Sequence, residues 1–281
     1  MSGRKYVVGY DVGTSGTKAV LCGLDGAVHG SAYQPHSLTQ RGNGWIEQDG
    51  AALLDAVFTT TSHLLNDSGA TSDEVRAIGV SGQMFNAVAV DESGAAITPL
   101  LSWLDTRATR QAQRIGELHA PARQFARYGS VLTAKDIVPK VLWLQDEIPE
   151  VATRAAAFLD CKDFVGAGLT GQIATDLHGA SAYYLFGIES RAWDQSAAEE
   201  LGLNPKQLPK VRHATDLLGE LTTEAARRSG LAPGTPVMVG TGDVAAGQIG
   251  AGAARDGQAH LSLGTASYFG ISLEQLRRDP N

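Results

Sequence analysis

The chain has 281 residues, 43% of them hydrophobic, and its 23 basic and 30 acidic residues give a net charge of −7. This composition predicts one large α/β domain or two ordinary domains, and the acidic balance argues against nucleic acid or an anionic membrane surface as a partner. The two cysteines, Cys22 and Cys161, exclude a disulfide framework and a cysteine zinc site, and no apolar run has the length of a membrane span. A cytoplasmic location is expected.

The N-terminal stretch KYVVGYDVGTSGTKAVLCGLDG has the pattern of a strand, a glycine-rich turn and a second strand. Gly13 and Gly16 permit close approach of another molecule, while Thr14 and Ser15 offer hydroxyl groups beside free N–H groups, which suits a phosphate. Asp11, at the end of the first strand, could hold a metal ion on that phosphate. An ordinary glycine-rich hairpin is the alternative, because short glycine motifs recur by chance.

The rest of the chain alternates between strand-like and helix-like periodicity, as in an α/β domain. Asp105 is expected to cap the helix that runs towards Leu118. The predicted strands are residues 27–33, 75–81, 87–90 and 236–240. The predicted helices are residues 51–65, a helix within 137–147 that starts near Pro139, 193–201 and 221–230.

A second informative stretch is PVMVGTGDVAAGQIGAGAA, in which a strand leads into Asp243 at the start of a helix. The carboxyl ends of strands are where α/β proteins hold their ligands, so Asp243 could lie beside a substrate hydroxyl. Helix capping alone also favours an aspartate there, and this structural explanation stays open. Further on, Gly264 and Thr265 lie in a glycine and hydroxyl turn that resembles the first one.

Eight motifs in one order resemble the signatures of the FGGY carbohydrate kinases, nearest to the xylulokinase-like members. The motifs are DVGTSGTK, GWIEQDG, SGQMFN, SWLDTR, LTAKDIVPKVLWLQDEIPE, LDCKDFVGAGLTGQIATD, GTGDVAAGQIGAG and SLGTAS. The resemblance implies an actin-like, RNase H-like α/β fold with a mixed sheet flanked by helices. It also implies an N-terminal sugar-binding domain over residues 1–253 and an incomplete start of the nucleotide-binding domain over residues 254–281.

The resemblance further implies an enzyme that uses ATP and Mg²⁺ to phosphorylate a hydroxyl of a sugar, a pentulose or polyol. Asp243 would be the general base, and as an unperturbed aspartate it would already be ionised at neutral pH. Asp11 would help to position Mg²⁺ and the phosphates. The implied phosphate contacts are Gly13, Thr14, Ser15, Gly264 and Thr265, and the implied sugar contacts are Gln83, Met84, Trp103 and Asp105. Whether the protein forms a homodimer is left open.

Two positions depart from the xylulokinase pattern, which usually carries a histidine and an asparagine where this chain has Phe85 and Val244. A site that loses such polar contacts discriminates differently among hydroxylated ligands, which argues against ordinary D-xylulose as the substrate. Whether Asn86 replaces the histidine is left open.

The chain is also much shorter than these kinases, so it is expected to be truncated, to bind ATP weakly and to be inactive alone. A non-catalytic sugar-binding or regulatory protein on the same scaffold is the alternative function.

Overall fold

The structure is a computed structural model that describes residues 5–263 and 267–277. Its strands, in chain order, are β1 (Tyr6–Val12), β2 (Gly16–Gly23), β3 (Val28–Pro35), β4 (Thr39–Gln40), β5 (Ile46–Gln48), β6 (Val75–Gly82), β7 (Val88–Val90), β8 (Leu100–Leu101), β9 (Ala157–Leu159), β10 (Ala174–Asp176), β11 (Phe186–Gly187), β12 (Ala192–Trp193), β13 (Lys210–Arg212), β14 (Leu217–Glu220), β15 (Pro236–Met238), β16 (Thr241–Gly242), β17 (Ala259–Ser262) and β18 (Tyr268–Ile271).

Helices of very different lengths join these strands. They are α1 (Gly50–Ser68), α2 (Thr109–Leu118), α3 (Pro121–Tyr128), α4 (Ile137–Glu147), α5 (Pro149–Arg154), α6 (Cys161–Thr170), α7 (Leu177–Ser181), α8 (Gln195–Glu200), α9 (Thr223–Ser229) and α10 (Asp243–Gly250), with short 3₁₀ helices at Ser72–Glu74 and Pro205–Gln207. None of the helices in the described ranges combines the length and the apolar character that crossing a membrane requires.

The central sheet is mixed and has the strand order β14-β15-β6-β1-β2-β3, with β16 also paired to β6. The first three strands form the antiparallel meander that the sequence predicts, and β6 then returns parallel to β1. Strands β15 and β16 also run parallel to β6. Because the carboxyl ends of parallel strands meet at one edge of a sheet, the ends of β1, β6 and β16 lie side by side.

The main hydrophobic core lies between this sheet and helices α1, α6 and α9. It includes Val8, Leu53, Ile78, Phe164 and Val237, each with at most 1% of its surface exposed. Helix α1 begins where Asp49 accepts a hydrogen bond from the Ala51 N–H and ends at Gly69, which has a left-handed conformation. The predicted α/β class and the helix that covers the sheet are therefore confirmed.

A second hydrophobic core lies under helices α2, α4 and α8 and includes Ile137 and Tyr183. The prediction that Asp105 caps α2 is wrong, because that helix begins at Thr109 after Ala108. The Asp105 carboxylate instead accepts hydrogen bonds from the Ile46 N–H and from the backbone and guanidinium of Arg107. The Arg107 guanidinium and the Ile46 N–H together satisfy this buried carboxylate, so it is not available to the first turn of α2.

Strands β17 and β18 form a separate hairpin with many apolar side chains in solvent. Ile249, Leu261, Leu263, Phe269 and Ile271 are each between 50% and 78% exposed. Leu261 lies opposite Phe269 in the pairing of the two strands, so these apolar side chains lie on one face of the hairpin. The domain boundary after residue 253 stays a prediction.

Candidate active site

The candidate site forms where β1, β6 and β16 end. Along this edge Asp11 lies opposite Ser81 on β6, and Ser81 lies opposite Thr241 on β16. Asp243 follows β16 directly and is the first residue of α10. Since neighbouring strands are about 4.8 Å apart, the backbone of Asp11 lies about 10 Å from that of Thr241, two residues before Asp243, with β6 between them.

The turn after β1 has the properties of an anion-binding loop. The Gly13 N–H donates to the Gly16 carbonyl at 3.0 Å and closes the turn. The N–H groups of Thr14 and Ser15 make no hydrogen bond to other described residues. Successive free N–H groups in a turn suit a phosphate group.

The Asp11 carboxylate, within the described part of the chain, also lacks a hydrogen-bond partner. Mg²⁺ in kinase sites binds one or two protein carboxylates together with phosphate oxygens and water, so this single hard oxygen ligand beside an anion-binding turn fits that ion. No cluster of three or more His, Cys, Asp or Glu side chains with metal-ligand geometry occurs among the described residues.

A closed ring of hydrogen bonds joins this turn to side chains from three other segments. Nε1 of Trp103 donates to Oγ1 of Thr14 at 2.9 Å, and that hydroxyl donates to Oε1 of Gln83 at 3.2 Å. Nε2 of Gln83 donates to Oε1 of Gln48 at 2.7 Å, and Nε2 of Gln48 donates to the Thr14 carbonyl at 3.0 Å. Sequence reasoning missed Gln48, although it lies within the GWIEQDG motif.

The segment after β6 is held by a buried carboxylate that sequence reasoning also missed. Asp160 accepts hydrogen bonds from the N–H groups of Phe85 and Asn86 and from Nδ2 of Asn86. Oδ1 of Asn86 in turn accepts from the Trp103 N–H at 3.0 Å. Asn86 is fully buried, so it orders this loop and offers no group to a sugar. Phe85 is 39% exposed and has a left-handed φ of 65°.

The other predicted sugar contacts are less accessible. Asp105 is fully buried and lies 2.7 Å from the Arg107 guanidinium, which also contacts the rings of Trp45 and Trp143. Met84 is 7% exposed. The position of Asp105 favours a role in holding the loop, and its contact with a sugar stays a prediction.

Asp243 is solvent-exposed, and its Oδ1 accepts the Val244 N–H at 2.8 Å. Partial loss of hydration raises the pKa of Asp243 to about 6, and the Asp11 carboxylate adds to the rise. The environment therefore differs from that of the unperturbed aspartate that the sequence suggests. Val244 packs against the second core.

A buried network lies beneath the β16–α10 junction. Oδ2 of Asp176 accepts a hydrogen bond from the Thr241 hydroxyl at 2.8 Å, and its Oδ1 lies 3.1 Å from Nζ of Lys162. It also caps α7 by accepting the N–H groups of His178 and Gly179. Asp176 thus ties the start of α7 to the strand that carries Asp243. Sequence reasoning missed this role of Asp176, although the residue ends the motif LDCKDFVGAGLTGQIATD.

The sequence profile of the FGGY family of carbohydrate kinases, N-terminal domain, matches residues 6–250. The chain belongs to the FGGY family of carbohydrate kinases. This membership agrees with the carboxylates and the glycine-rich turn at the edge of the sheet, and it confirms the family predicted from the motifs.

Among FGGY relatives, the chain is 30% identical over 275 residues to the xylulose kinase of Bacillus subtilis (strain 168), covering 98% of the chain and 55% of the relative. It is 25% identical over 274 residues to the gluconokinase of the same organism, with 98% and 53% covered. The crystal structure of xylulose kinase from Rhodospirillum rubrum superposes with a TM-score of 0.91 at 27% identity, covering 98% of this chain and 57% of that one.

This structural superposition confirms the predicted actin-like fold. The chain spans about half the length of the curated relatives that it matches. Gly264 and Thr265, the predicted second phosphate turn, lie outside the described residues.

Proposed function

We propose that this chain is the sugar-binding part of an ATP-dependent carbohydrate kinase, which transfers the γ-phosphoryl group of ATP to a hydroxyl of a sugar, a pentulose or polyol. One observation carries the proposal. Asp11 and Asp243 lie on either side of β6 at the carboxyl edge of the sheet. The ring of Thr14, Gln83 and Gln48, to which Trp103 donates a further hydrogen bond, joins the proposed phosphate turn to the proposed sugar side.

Asp243 is the general base of the proposed reaction. It accepts the proton of the attacking hydroxyl while that oxygen bonds to phosphorus. A base works best when its pKa lies near the operating pH, and the pKa of about 6 for Asp243 is closer to neutrality than that of an ordinary aspartate. At neutral pH most of these carboxylates are ionised and able to accept the proton.

The free N–H groups of Thr14 and Ser15, with the open backbone at Gly13, hold the phosphate side. Asp11 would hold Mg²⁺, which when bound neutralises charge on the phosphate oxygens. Phosphoryl transfer depends mainly on positioning and on electrostatic stabilisation of those oxygens, so preorganised N–H groups contribute directly.

The acceptor side comprises Gln83, Met84 and Trp103, with Phe85 and Val244 as apolar neighbours. The names of the relatives, xylulose kinase and gluconokinase, support a sugar or sugar acid as the acceptor. Phe85 and Val244, which stand where xylulokinases usually carry polar residues, support an acceptor other than ordinary D-xylulose, such as a different pentulose or a polyol.

Phosphoryl transfer is proposed to need a further nucleotide-binding part, to which Gly264 and Thr265 would contribute. The exposed apolar surface of the β17–β18 hairpin supports this requirement, because it offers a face for another domain to cover. The 281-residue chain is therefore expected to bind a sugar and to show no useful turnover by itself.

The proposal is tested by titrating the purified chain with D-xylulose, D-gluconate, xylitol and D-ribulose in a calorimeter, and by measuring ADP release from ATP with each sugar. We expect binding of at least one sugar without turnover. If no polyhydroxylated ligand bound at millimolar concentration, the sugar-binding assignment would be wrong. Robust turnover by this chain would contradict the need for a further domain, and turnover that survived in Asp243→Asn would contradict the base assignment.

A further inference from the structure

His178, the second residue of α7, lies against the strand that carries the proposed base. A methyl group added at Gly242 would contact the side chain of Met84 and would lie 3.1 Å from Nδ1 of His178. Gly242 directly precedes Asp243. The imidazole, the Met84 side chain and the start of α10 therefore meet at one point of the candidate site.

The two ring nitrogens of His178 have different surroundings. Nδ1 is enclosed by protein and has no hydrogen-bond partner in the described residues. Nε2 is not fully enclosed and makes no hydrogen bond to the described residues, so it is free to donate to a bound ligand. A ring with an unpartnered, enclosed Nδ1 is best accommodated with its proton on Nε2, because an enclosed N–H without an acceptor loses its hydrogen bond to water.

The charge of the ring follows from the same surroundings. Burial lowers the pKa of His178, and the nearby Lys162 ammonium lowers it further against the opposing effect of Asp176. The imidazole is therefore neutral near pH 7 and presents one N–H donor from Nε2.

The fold has no visible use for this imidazole. Asp176 already holds the start of α7 through the backbone N–H groups of His178 and Gly179. Buried histidines that serve only the fold normally have partners for their ring nitrogens, and this one has none among residues 5–263 and 267–277. A polar ring that is left unpartnered beside a ligand site is best explained by a ligand.

We propose that His178 is a substrate-contacting residue, which donates a hydrogen bond from Nε2 to a hydroxyl of an uncharged sugar bound beside Asp243. The inference rests on the proposed function and names its substrate class, a neutral polyol or ketose in preference to a sugar acid. The charges of the site support this preference. The carboxylates of Asp11 and Asp243 repel an acid, and the Lys162 ammonium is already paired with Asp163 and Asp176.

The variants for the test are His178→Leu, which removes the donor, and His178→Gln, whose amide can donate from a similar position. His63→Leu on α1 is the control, because that histidine is exposed and distant in sequence from the site. Each is titrated with D-ribulose, xylitol and D-gluconate. We expect wild type to bind a neutral sugar more tightly than D-gluconate. For that sugar, His178→Leu should raise the Kd by ~3- to 10-fold, while His178→Gln stays within ~3-fold of wild type.

A second readout reports the contact itself. In ¹⁵N-labelled protein, the Nε2 resonance of His178 should shift when the neutral sugar is added, whereas a purely structural histidine would not respond. Unchanged affinity in His178→Leu together with an unchanged Nε2 resonance would overturn the inference and leave the proposed function intact. Tighter binding of D-gluconate than of the neutral sugars would overturn the substrate class. Failure of wild type to bind any sugar would instead overturn the proposed function, and the inference with it.

Discussion

The indole Nε1 of Trp103 donates a 2.9 Å hydrogen bond to the hydroxyl of Thr14. The two residues are far apart in sequence, and one lies in the phosphate turn while the other lies in the SWLDTR motif. Their bond joins the glycine-rich turn after β1 directly to the segment that follows β8.

We expect the pair to be energetically coupled. Thr14→Val and Trp103→Phe should each lower the free energy of unfolding by about 0.5–1.5 kcal/mol. In the double variant this free energy should fall by less than the sum of the two single losses, because the shared hydrogen bond can be lost only once. Urea unfolding of the four proteins measures the coupling. Thr17→Val is the matched control, since the buried hydroxyl of Thr17 has no partner in the described residues. If the coupling energy between Thr14→Val and Trp103→Phe were as small as that between Thr17→Val and Trp103→Phe, the prediction would be wrong.

Asp243→Asn should stabilise the fold in a pH-dependent manner. The pKa of Asp243 is about 6 in the folded chain and near 3.9 when unfolded. The folded state therefore binds more protons between these values, and the stability of wild type falls as pH rises through this window. The free energy of unfolding of Asp243→Asn, measured by urea unfolding, should exceed that of wild type most at pH 8 and little at pH 4. Asp67→Asn on α1 controls for removal of one negative charge, and an equal gain at both pH values would be inconsistent with the raised pKa.

Lys140 is buried, and its Nζ donates to the carbonyls of Phe85 and Lys135 at 2.6 Å and 2.5 Å. Lys140→Met should therefore lower the free energy of unfolding by about 1–3 kcal/mol, because it leaves both carbonyls without a donor.

This loss should also depend on pH. Burial lowers the pKa of Lys140 to about 7, against about 10.4 in an unfolded chain, so the unfolded state binds more protons between these values. Wild type gains stability as pH rises through this window, and the loss in Lys140→Met should be larger at pH 9 than at pH 6.5. Lys135→Met, which removes an exposed side chain but keeps its carbonyl, is the control. If the loss of stability in Lys140→Met did not grow with pH, the lowered pKa of Lys140 would be wrong.

Two glycines before Asp243 should respond differently to alanine. Gly240 has a left-handed φ of 74°, and an added methyl group would strike the backbone of Val80, so Gly240→Ala should lower the free energy of unfolding by about 3 kcal/mol or more. At Gly242 the added methyl group meets the flexible side chain of Met84, so Gly242→Ala should fold but bind sugar more weakly. Thermal unfolding and calorimetry separate the two effects. Gly250→Ala, with open space around it, should be neutral or stabilising.

Much of the fold follows from local sequence patterns. The antiparallel meander, α1 and α4 were all predictable, because period-two and helical periodicity report which face of each element is buried. The prediction that Asp105 caps α2 failed because long-range packing, which local patterns do not report, decided its partners. Its preference for a helix cap is a local tendency, and the ion pair with Arg107 in a buried setting overrides it.

The sequence by itself determined that Asp11 and Asp243 lie close to the ends of strands and that glycine-rich segments accompany them, because strand ends and turns are local features. Only the tertiary structure decided that β6 lies between these aspartates, that Gln48 closes a ring with Thr14, and that His178 lies beside Gly242. Strand order, long-range hydrogen bonds and loss of hydration depend on residues far apart in the chain. No local pattern encodes them, and two of their consequences, the loss of hydration and the nearness of Asp11, raise the pKa of Asp243.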